Sequence, residues 1–167
     1  MTAQATETIK IDGIEHQMYT EPFADYLERL NPKPKLIFPT TACWRGYYGK
    51  WEIKDNQLFL IELEAYLSPD WEVVGKKYFF PFVKGPVKAD WFTGVLSTPL
   101  DGRSEYWHGG YGYHYDFYDH IEILEGQVIR SYPHSYTYNY GKQIQSPKPT
   151  FKERISFSFQ NFIGIKK

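Results

Sequence analysis

Hydrophobic and polar residues alternate most clearly between positions 43 and 67, and this alternation predicts a long β-hairpin. On the first arm the apolar odd positions are Trp51 and Ile53. On the second arm they are Phe59, Ile61, Leu63 and Ala65. Successive side chains of a strand point to opposite faces of its sheet. The odd positions are therefore predicted to be buried, with Trp51 in the core.

The predicted turn of this hairpin lies within Lys54-Asp55-Asn56-Gln57. Asp and Asn hydrogen-bond to the nearby backbone, and Asn tolerates the left-handed conformation. If odd residues face odd residues across the hairpin, the loop must hold an odd number of residues. We therefore predict a three-residue loop with Asn56 in the left-handed bulge position.

The first thirty residues predict a frayed start, a small hairpin and a helix. Residues 1–6 are polar and are expected to fray. Asp12-Gly13 lies between apolar segments and is typical of a hairpin turn. Residues 21–30 predict a helix, because Pro22 suits a first turn and apolar residues recur at helical spacing up to Leu30.

Short aromatic-rich segments with turn signals between them fill the rest of the chain. Strands are predicted at 71–74, 77–83, 91–97, 103–108, 113–124 and 127–132, an edge strand or loop at 136–140, and a closing strand around Ile155, Phe157 and Phe159. In 113–124 the odd positions are predicted to be buried, and the even positions, including His114 and His120, are predicted to be solvated. The prediction is a single mainly β domain, an antiparallel sandwich or barrel of roughly ten strands with one short N-terminal helix.

Composition narrows the class of protein. The net charge of -1 argues against a nucleic-acid-binding protein, which usually carries a basic stripe. A single cysteine excludes an intrachain disulfide. The N-terminus does not resemble a secretory signal and no stretch has the length of a transmembrane helix, so we expect a cytoplasmic protein without a membrane partner. Aromatic residues make up 19% of the chain, and they suit both a β core and a recognition surface.

No standard catalytic or phosphate-binding motif occurs in the sequence. His108, His114 and His120, with Asp116, are the best metal candidates. His120 lies six residues beyond His114, roughly 20 Å along an extended strand, so a solvated strand face explains these residues equally well. We expect no cofactor and no specific metal.

Cys43 is predicted to be a small buried hydrophobe, with a nucleophilic role as the alternative.

Arg45 is the most informative charged residue, because it shares its parity with the inward-facing Tyr47 and Trp51. A charge on a core face needs a partner or a place at the open end of the sheet. The predicted acidic partners are Asp90, Glu105, Asp116 and Asp119. Two alternatives are a bulge at Gly46 that turns Arg45 outwards, and an anion- or partner-binding arginine at the mouth of an aromatic pocket.

A recognition surface is predicted in residues 106–118 together with Tyr136, Tyr138 and Tyr140. Both stretches concentrate Tyr, His and Gly, which combine large rigid contacts with an adaptable backbone and suit a loop that accepts a partner. The expected binding residues are Arg45, Tyr111, His114, Tyr136 and Tyr138. Replacing Tyr136 and Tyr138 with Ser is expected to change stability by less than about 0.5 kcal/mol. Each such ring is expected to contribute more than about 1 kcal/mol to partner binding.

The hairpin resembles a group of small uncharacterised bacterial proteins. The likeness rests on Thr41-Ala42-Cys43-Trp44-Arg45-Gly46-Tyr47, Trp51-Glu52-Ile53, Leu58-Phe59-Leu60 and, downstream, Ala89-Asp90-Trp91-Phe92-Thr93-Gly94. These proteins share an Arg-Gly-Tyr, Trp-Glu-Ile, Leu-aromatic-Leu core. The likeness covers about the middle half of the chain and implies no activity, so it assigns no functional residue.

Three functions are compatible with these patterns. The favoured one is a non-catalytic binding protein that recognises another protein, as a toxin-neutralising immunity protein does. The alternative is a β-domain that binds a small molecule or carbohydrate in an aromatic pocket. The third is a metal-dependent enzyme that uses the region of His108, His114 and His120.

Overall fold

The computed structural model describes residues 2–100, 104–106, 109–139 and 142–145. The predicted closing strand at 155–159 lies outside these residues, as do His108 and Tyr140. Along the chain the elements are β1 (Glu7–Ile11), β2 (Ile14–Met18), α1 (Pro22–Arg29), β3 (Tyr47–Lys54), β4 (Gln57–Leu67), β5 (Glu72–Gly75), α2 (Lys76–Phe79), β6 (Val87–Lys88), β7 (Gly94–Pro99), β8 (Ser104–Tyr106), β9 (Tyr113–Tyr115), β10 (Phe117–Leu124), β11 (Gln127–Asn139) and β12 (Lys142–Gln145). In this part of the chain no helix is long and apolar enough to cross a bilayer.

Most strands belong to one large sheet with the order β2-β1-β3-β4-β11-β10-β7, to which β5, β6 and β12 attach at its inner strands. β1 and β3 run parallel, whereas the other pairs are antiparallel. Between the two end strands, Tyr19 N donates to Ser97 O at 2.8 Å, just beyond β2. No ladder joins β2 to β7 among the described residues. The predicted mainly β class with an N-terminal helix is confirmed, and the described strands of this sheet do not close into a barrel.

The central hairpin forms as predicted, but its turn is shorter than predicted. Lys54 pairs with Gln57, so Asp55 and Asn56 alone make the turn, with φ of 50° and 57°. A two-residue hairpin turn with positive φ at both positions matches the right-handed twist of the strands. The prediction of a three-residue loop is wrong, because Asp55 also adopts the left-handed conformation.

A β-bulge in the second arm changes which residues are buried. Lys50 pairs with Glu62 and Trp51 pairs with Leu60, which leaves Ile61 as the extra residue. An extra residue inverts the alternation on its strand. The buried residues of β4 are Leu58, Leu60, Leu63, Ala65 and Leu67.

The predicted parity of the second arm is therefore right only beyond the bulge. Leu63 and Ala65 are buried as predicted, whereas Phe59 and Ile61 are half-buried. The loop holds two residues instead of three, so the even positions of β4 face the core between the turn and the bulge. The prediction for Phe59 and Ile61 is therefore wrong. The bulge then restores the odd register farther along the hairpin.

The segment 77–83, predicted as a strand, forms a different structure. It contains most of the short helix α2, and a turn follows. Lys76 Nζ donates to the carbonyl oxygens of Ile61 and Gly85, both at 2.6 Å. The ammonium group thus satisfies a carbonyl at the bulge and holds the chain after α2 against β4.

The predicted long strand 113–124 is interrupted at Asp116. β9 pairs with β8 in a separate two-stranded sheet, whereas β10 pairs with β7 and β11. The interruption changes the buried face, so Tyr113 and Phe117 are exposed and Tyr118 is buried. The prediction that Tyr113 and Phe117 lie in the core is wrong, whereas Ile121 and Ile123 are buried as predicted.

The helix covers one end of an aromatic core. α1 buries Phe23 and Leu27, as its spacing predicts. The ring of Phe23 meets the ring of Tyr47 at 5.2 Å, and Trp91 Nε1 donates to Pro22 O at 3.0 Å. These contacts place α1 beside the start of β3.

Gly46 is the glycine at which substitution is expected to disturb this region most. Its φ is +77°, and a Cβ there would lie 2.7 Å from the carbonyl oxygen of Ile37. We expect Gly46→Ala to lower the free energy of unfolding by more than about 1 kcal/mol, because both the backbone conformation and the contact oppose a side chain.

Gly13→Ala is the matched control for Gly46→Ala. Gly13 has a similar φ of +81°, but a Cβ there meets no atom within 4 Å. Urea titration of both variants separates the steric cost from the backbone cost. Equal losses for the two variants would contradict the steric argument.

Candidate functional site

Three charged side chains meet where the first strand, the helix and the central hairpin come together. We call Glu7, Arg45 and Glu21 the charge cluster. Arg45 Nε lies 3.4 Å from Glu7 Oε1, and Arg45 Nη1 lies 3.5 Å from Glu21 Oε1. Glu7 begins β1, Arg45 lies just before β3, and Glu21 precedes α1. The parallel pairing of β1 with β3 brings Glu7 and Arg45 together.

Glu7 is a buried carboxylate that sequence reasoning missed. It alternates with Ile9 on the inner face of β1, and its side chain has no exposed surface. Trp51 Nε1 donates to its Oε2 atom. A Cβ at Gly49 would lie 2.6 Å from this oxygen, so the glycine leaves the room that the carboxylate occupies. The parity that Glu7 shares with Ile9 and Ile11 was the available signal.

The environment of Glu7 favours its neutral form. Burial raises the pKa of the Glu7 carboxyl from 4.5 to about 7, although Arg45 and the Trp51 hydrogen bond act in the opposite direction. Glu21 adds a smaller contribution that raises the pKa further. Desolvation penalises an ionised carboxylate more than its neighbours compensate. Glu7 therefore changes its charge near neutral pH.

Arg45 is buried, with 7% of its side chain exposed, and two of its three guanidinium nitrogens, Nε and Nη2, make no hydrogen bond. Nη1 donates to Ala5 O at 2.7 Å. The guanidinium carbon lies 5.5 Å from the ring centres of both Tyr47 and Tyr48. Within the described residues, Arg45 Nη2 and the Tyr47 hydroxyl are buried without a hydrogen-bond partner. Arg45 Nε and Glu7 Oε1 also make no hydrogen bond, but they meet each other in the ion pair.

The prediction that Arg45 is a paired, inward-facing residue is confirmed, but the predicted partners are wrong. Its ion pairs are with Glu7 and Glu21. Of the predicted partners, Asp90 pairs with Lys88, Asp119 accepts from Ser131, Glu105 lies on β8, and Asp116 lies between β9 and β10. Gly46 has a left-handed backbone but does not turn Arg45 outwards.

The segment before β1 contributes backbone atoms to the site. Gln4 N donates to Gly110 O and Ala5 N donates to Ala42 O, both at 2.7 Å. Gln4 Oε1 accepts from Trp44 N at 2.9 Å. These bonds fix the carbonyl of Ala5 that Arg45 binds.

Tyr111 is the second predicted binding residue that the structure brings to the cluster. Its hydroxyl donates to Glu21 Oε1 at 2.8 Å, and its ring stacks on Tyr19 with centroids 4.7 Å apart. Burial and the neighbouring Glu21 carboxylate raise the pKa of Tyr111, which keeps the hydroxyl protonated as a donor. Tyr111 and Arg45 thus hold Glu21 from two sides.

Tyr111→Phe is expected to lower the free energy of unfolding by about 1–3 kcal/mol, since it removes a hydrogen bond to a charged acceptor. Thermal or urea unfolding measures this loss. Tyr78→Phe is a suitable control, because the Tyr78 side chain is 55% exposed. A loss no larger than that of the control would show that the Tyr111–Glu21 bond contributes little.

The other predicted binding residues lie elsewhere in the fold. His114 lies on β9, where it pairs with Glu105 of β8. Tyr136 and Tyr138 lie on β11, and their backbones pair with Gln145 and Gln143 of β12. Their side chains are outside what the structure describes, so the prediction for the double Ser variant stays a prediction.

A cleft of about 490 Å³ opens beside the charge cluster, between α1 and the segment 33–36. Its walls include apolar side chains and charged groups at the rim. The lining residues are Glu21, Ala24, Leu27, Glu28, Lys33, Pro34, Lys35, Leu36, Arg45 and Tyr47. The two side chains with unused donors, Arg45 and Tyr47, both belong to this lining.

The remaining catalytic and metal candidates form no reactive arrangement in the described part of the chain. No group of three His, Cys, Asp or Glu side chains there is placed to hold a metal ion. Cys43 is fully buried, and its Sγ donates to Tyr47 O at 3.2 Å, which confirms the predicted buried role.

No family model, no curated protein and no solved structure matches the chain. The resemblance of the hairpin to small bacterial proteins therefore stays a prediction.

Proposed function

We propose that the protein is a non-catalytic binding domain that holds a small molecule in the cleft between α1 and the segment 33–36. The observation that carries this proposal is the pair of buried, unpartnered donors, Arg45 Nη2 and the Tyr47 hydroxyl, on side chains that line the cleft. Buried polar groups nearly always have a hydrogen-bond partner. An acceptor on a bound ligand would complete both once Arg45 and Tyr47 turn these atoms towards the cleft, because neither atom has exposed surface in the structure.

The size and lining of the cleft support the same function. Its volume of about 490 Å³ falls in the range of small-molecule sites. Such sites combine apolar walls with a few polar groups that orient the ligand. Here Ala24, Leu27 and Leu36 supply apolar surface, while Arg45 and Tyr47 supply the polar contacts.

Blocking the cleft tests this function. The purified protein is incubated with a metabolite extract and passed over a desalting column, and retained small molecules are identified by mass spectrometry. We expect a compound to be retained by the wild type and lost in Ala24→Phe, because the larger ring fills the cleft. Asp25→Phe is the matched control, since Asp25 is exposed on the same helix and does not line the cleft.

Two results would contradict this function. One is that the wild type retains no compound from extracts of several growth conditions. The other is that Ala24→Phe, shown to be folded by circular dichroism, retains the same compound as the wild type.

Binding of a protein partner is the second candidate, and exposed aromatic rings favour it. Phe82 is 97% exposed, and Phe38, Trp44, Trp71 and Tyr78 are each more than half exposed. Exposed aromatic surface is typical of protein-binding sites.

Phe82→Ser is expected to change stability by less than about 0.5 kcal/mol. Affinity purification with this variant should lose a partner that the wild type retains, and unchanged retention would argue against this candidate.

A further inference from the structure

The net charge of the cleft suits an anion while the Glu7 carboxyl is protonated, but not when it is ionised. Three cations and two carboxylates line the cleft, which leaves one net positive charge. Lys33 pairs with Glu28 across the rim, so the excess charge belongs to Lys35 and Arg45 against Glu21. Glu7 lies directly behind Arg45 and cancels this charge when it is ionised.

The two donors without a partner, on Arg45 and Tyr47, favour a ligand group that accepts hydrogen bonds. Arg45 Nη2 is a donor only, and the Tyr47 hydroxyl is free to donate. An ionised carboxylate accepts at two oxygens and matches a guanidinium edge, whereas an amide presents donors as well. A cationic head group would lie next to Arg45 and Lys35, whereas the two carboxylates of the lining already pair with Arg45 and Lys33.

We propose that the cleft binds its ligand through a single carboxylate head group at Arg45 and Tyr47, and that Glu7 takes up a proton from solvent when this anion binds. The inference rests on the proposed binding function and adds the chemical class of the ligand. No covalent bond forms or breaks, and the buffer supplies the proton.

Competition for Arg45 is the physical reason for the linked proton. Glu7, Glu21 and the bound carboxylate would be three anions around one guanidinium group. Like charges at short distance in a buried site are costly, and the cost is relieved when one of them is neutral. Glu7 is the least solvated of the three. The other titratable groups that face the cluster are Tyr47, Tyr48 and Tyr111, neutral phenols whose pKa is raised by burial.

The linkage predicts how affinity changes with pH. Because the pKa of Glu7 in the empty site is about 7, the carboxylate should bind about tenfold more weakly at pH 8 than at pH 6. At pH 8 each binding event should take up about one proton. Removing the Glu7 charge should abolish both effects without removing the binding.

Calorimetry with sodium phenylacetate and its neutral isostere phenylacetamide tests the inference at pH 6 and pH 8. Phenylacetate is ionised at both values and combines a carboxylate with an apolar body. We expect it to bind with the tenfold difference, and phenylacetamide to bind at least tenfold more weakly than phenylacetate at pH 6. Titration in two buffers of different ionisation enthalpy counts the protons in the wild type, so this measurement needs no variant.

Three variants localise the effect. Glu7→Gln should bind phenylacetate with an affinity that does not change between pH 6 and pH 8. Lys35→Gln should weaken binding several-fold, whereas Lys54→Gln, at an exposed lysine in the hairpin turn region, should not. Asp25→Asn removes an exposed carboxylate of α1 outside the cleft and should keep the wild-type pH profile.

The results that would overturn the carboxylate head group and the linked proton differ from those that would overturn the binding function. Equal affinity for phenylacetate and phenylacetamide, an affinity that does not change with pH, or no binding of phenylacetate would overturn it. The binding function would survive each of these results if the wild type still retained a compound that Ala24→Phe loses. Retention of no compound would overturn both.

Discussion

Trp51→Ala is expected to lower the free energy of unfolding by about 3–5 kcal/mol. Trp51 is 2% exposed, and its ring meets that of Trp91 at 6.5 Å. The substitution leaves a large cavity in the core between β3 and its neighbours. It also removes the indole donor to Glu7, so the buried carboxyl loses a hydrogen bond as well as a packing partner.

Two further tryptophan variants separate these effects in urea titrations. Trp44→Ala removes a side chain that is 55% exposed, and should change stability by less than about 0.5 kcal/mol. Trp51→Phe keeps most of the ring and loses the indole donor, so its cost should lie between the other two. A loss from Trp51→Ala as small as that from Trp44→Ala would mean that the faces of β3 are inverted.

Stability is expected to fall as pH rises through neutrality because of Glu7. Its pKa in the folded protein is about 7, raised above 4.5 by burial. A raised carboxyl pKa means that the folded state binds the proton more tightly than the unfolded state. The stabilisation is complete below pH 4.5 and is lost as pH rises through 7. Between pH 5 and pH 8 the loss should be about 2–3 kcal/mol.

Comparison with Glu7→Gln isolates this contribution, because other groups also titrate in the folded protein. Burial and the neighbouring His134 lower the pKa of His120 to about 4, which destabilises the fold as pH falls below 6.5. Burial raises the pKa of Asp119, which acts in the same direction as Glu7. Both groups are present in the wild type and in Glu7→Gln, so they cancel in the difference between the two urea midpoints.

The difference in unfolding free energy between wild type and Glu7→Gln should therefore depend on pH. Relative to the variant, the wild type should be more stable at pH 5 than at pH 8. A difference that stays constant over this range would show that Glu7 does not change charge near neutrality. A difference that grows with pH would mean that Arg45 keeps the carboxylate ionised despite its burial.

Local patterns predicted the elements of this fold well where turn chemistry and spacing were sufficient. Asp12-Gly13 makes the first hairpin, with φ of 50° and 81° at its two residues. The apolar spacing after Pro22 gives the helix within one residue of its observed ends. These features depend on neighbours within a few residues, so the sequence contains the information.

The bulge at Ile61 shows where local patterns end. Phe59 and Ile61 are apolar and alternate correctly, yet both are half-buried. Whether a strand contains an extra residue depends on its partner strands and on the loop length. Lys76, fifteen residues away, meets the Ile61 carbonyl at this point, and no local pattern indicates that contact.

Alternation, turn chemistry and helical spacing were sufficient to predict the β class, the helix, the burial of Trp51 and the inward direction of Arg45. Which acids meet Arg45 depends on tertiary contacts, because the parallel pairing of β1 with β3 and the position of α1 beside β3 bring together residues 24 to 38 positions apart. Alternation fixes the face on which a side chain lies, but strand order fixes what it faces. The charge cluster and its cleft therefore depend on sheet topology, which the spacing of residues along one strand does not encode.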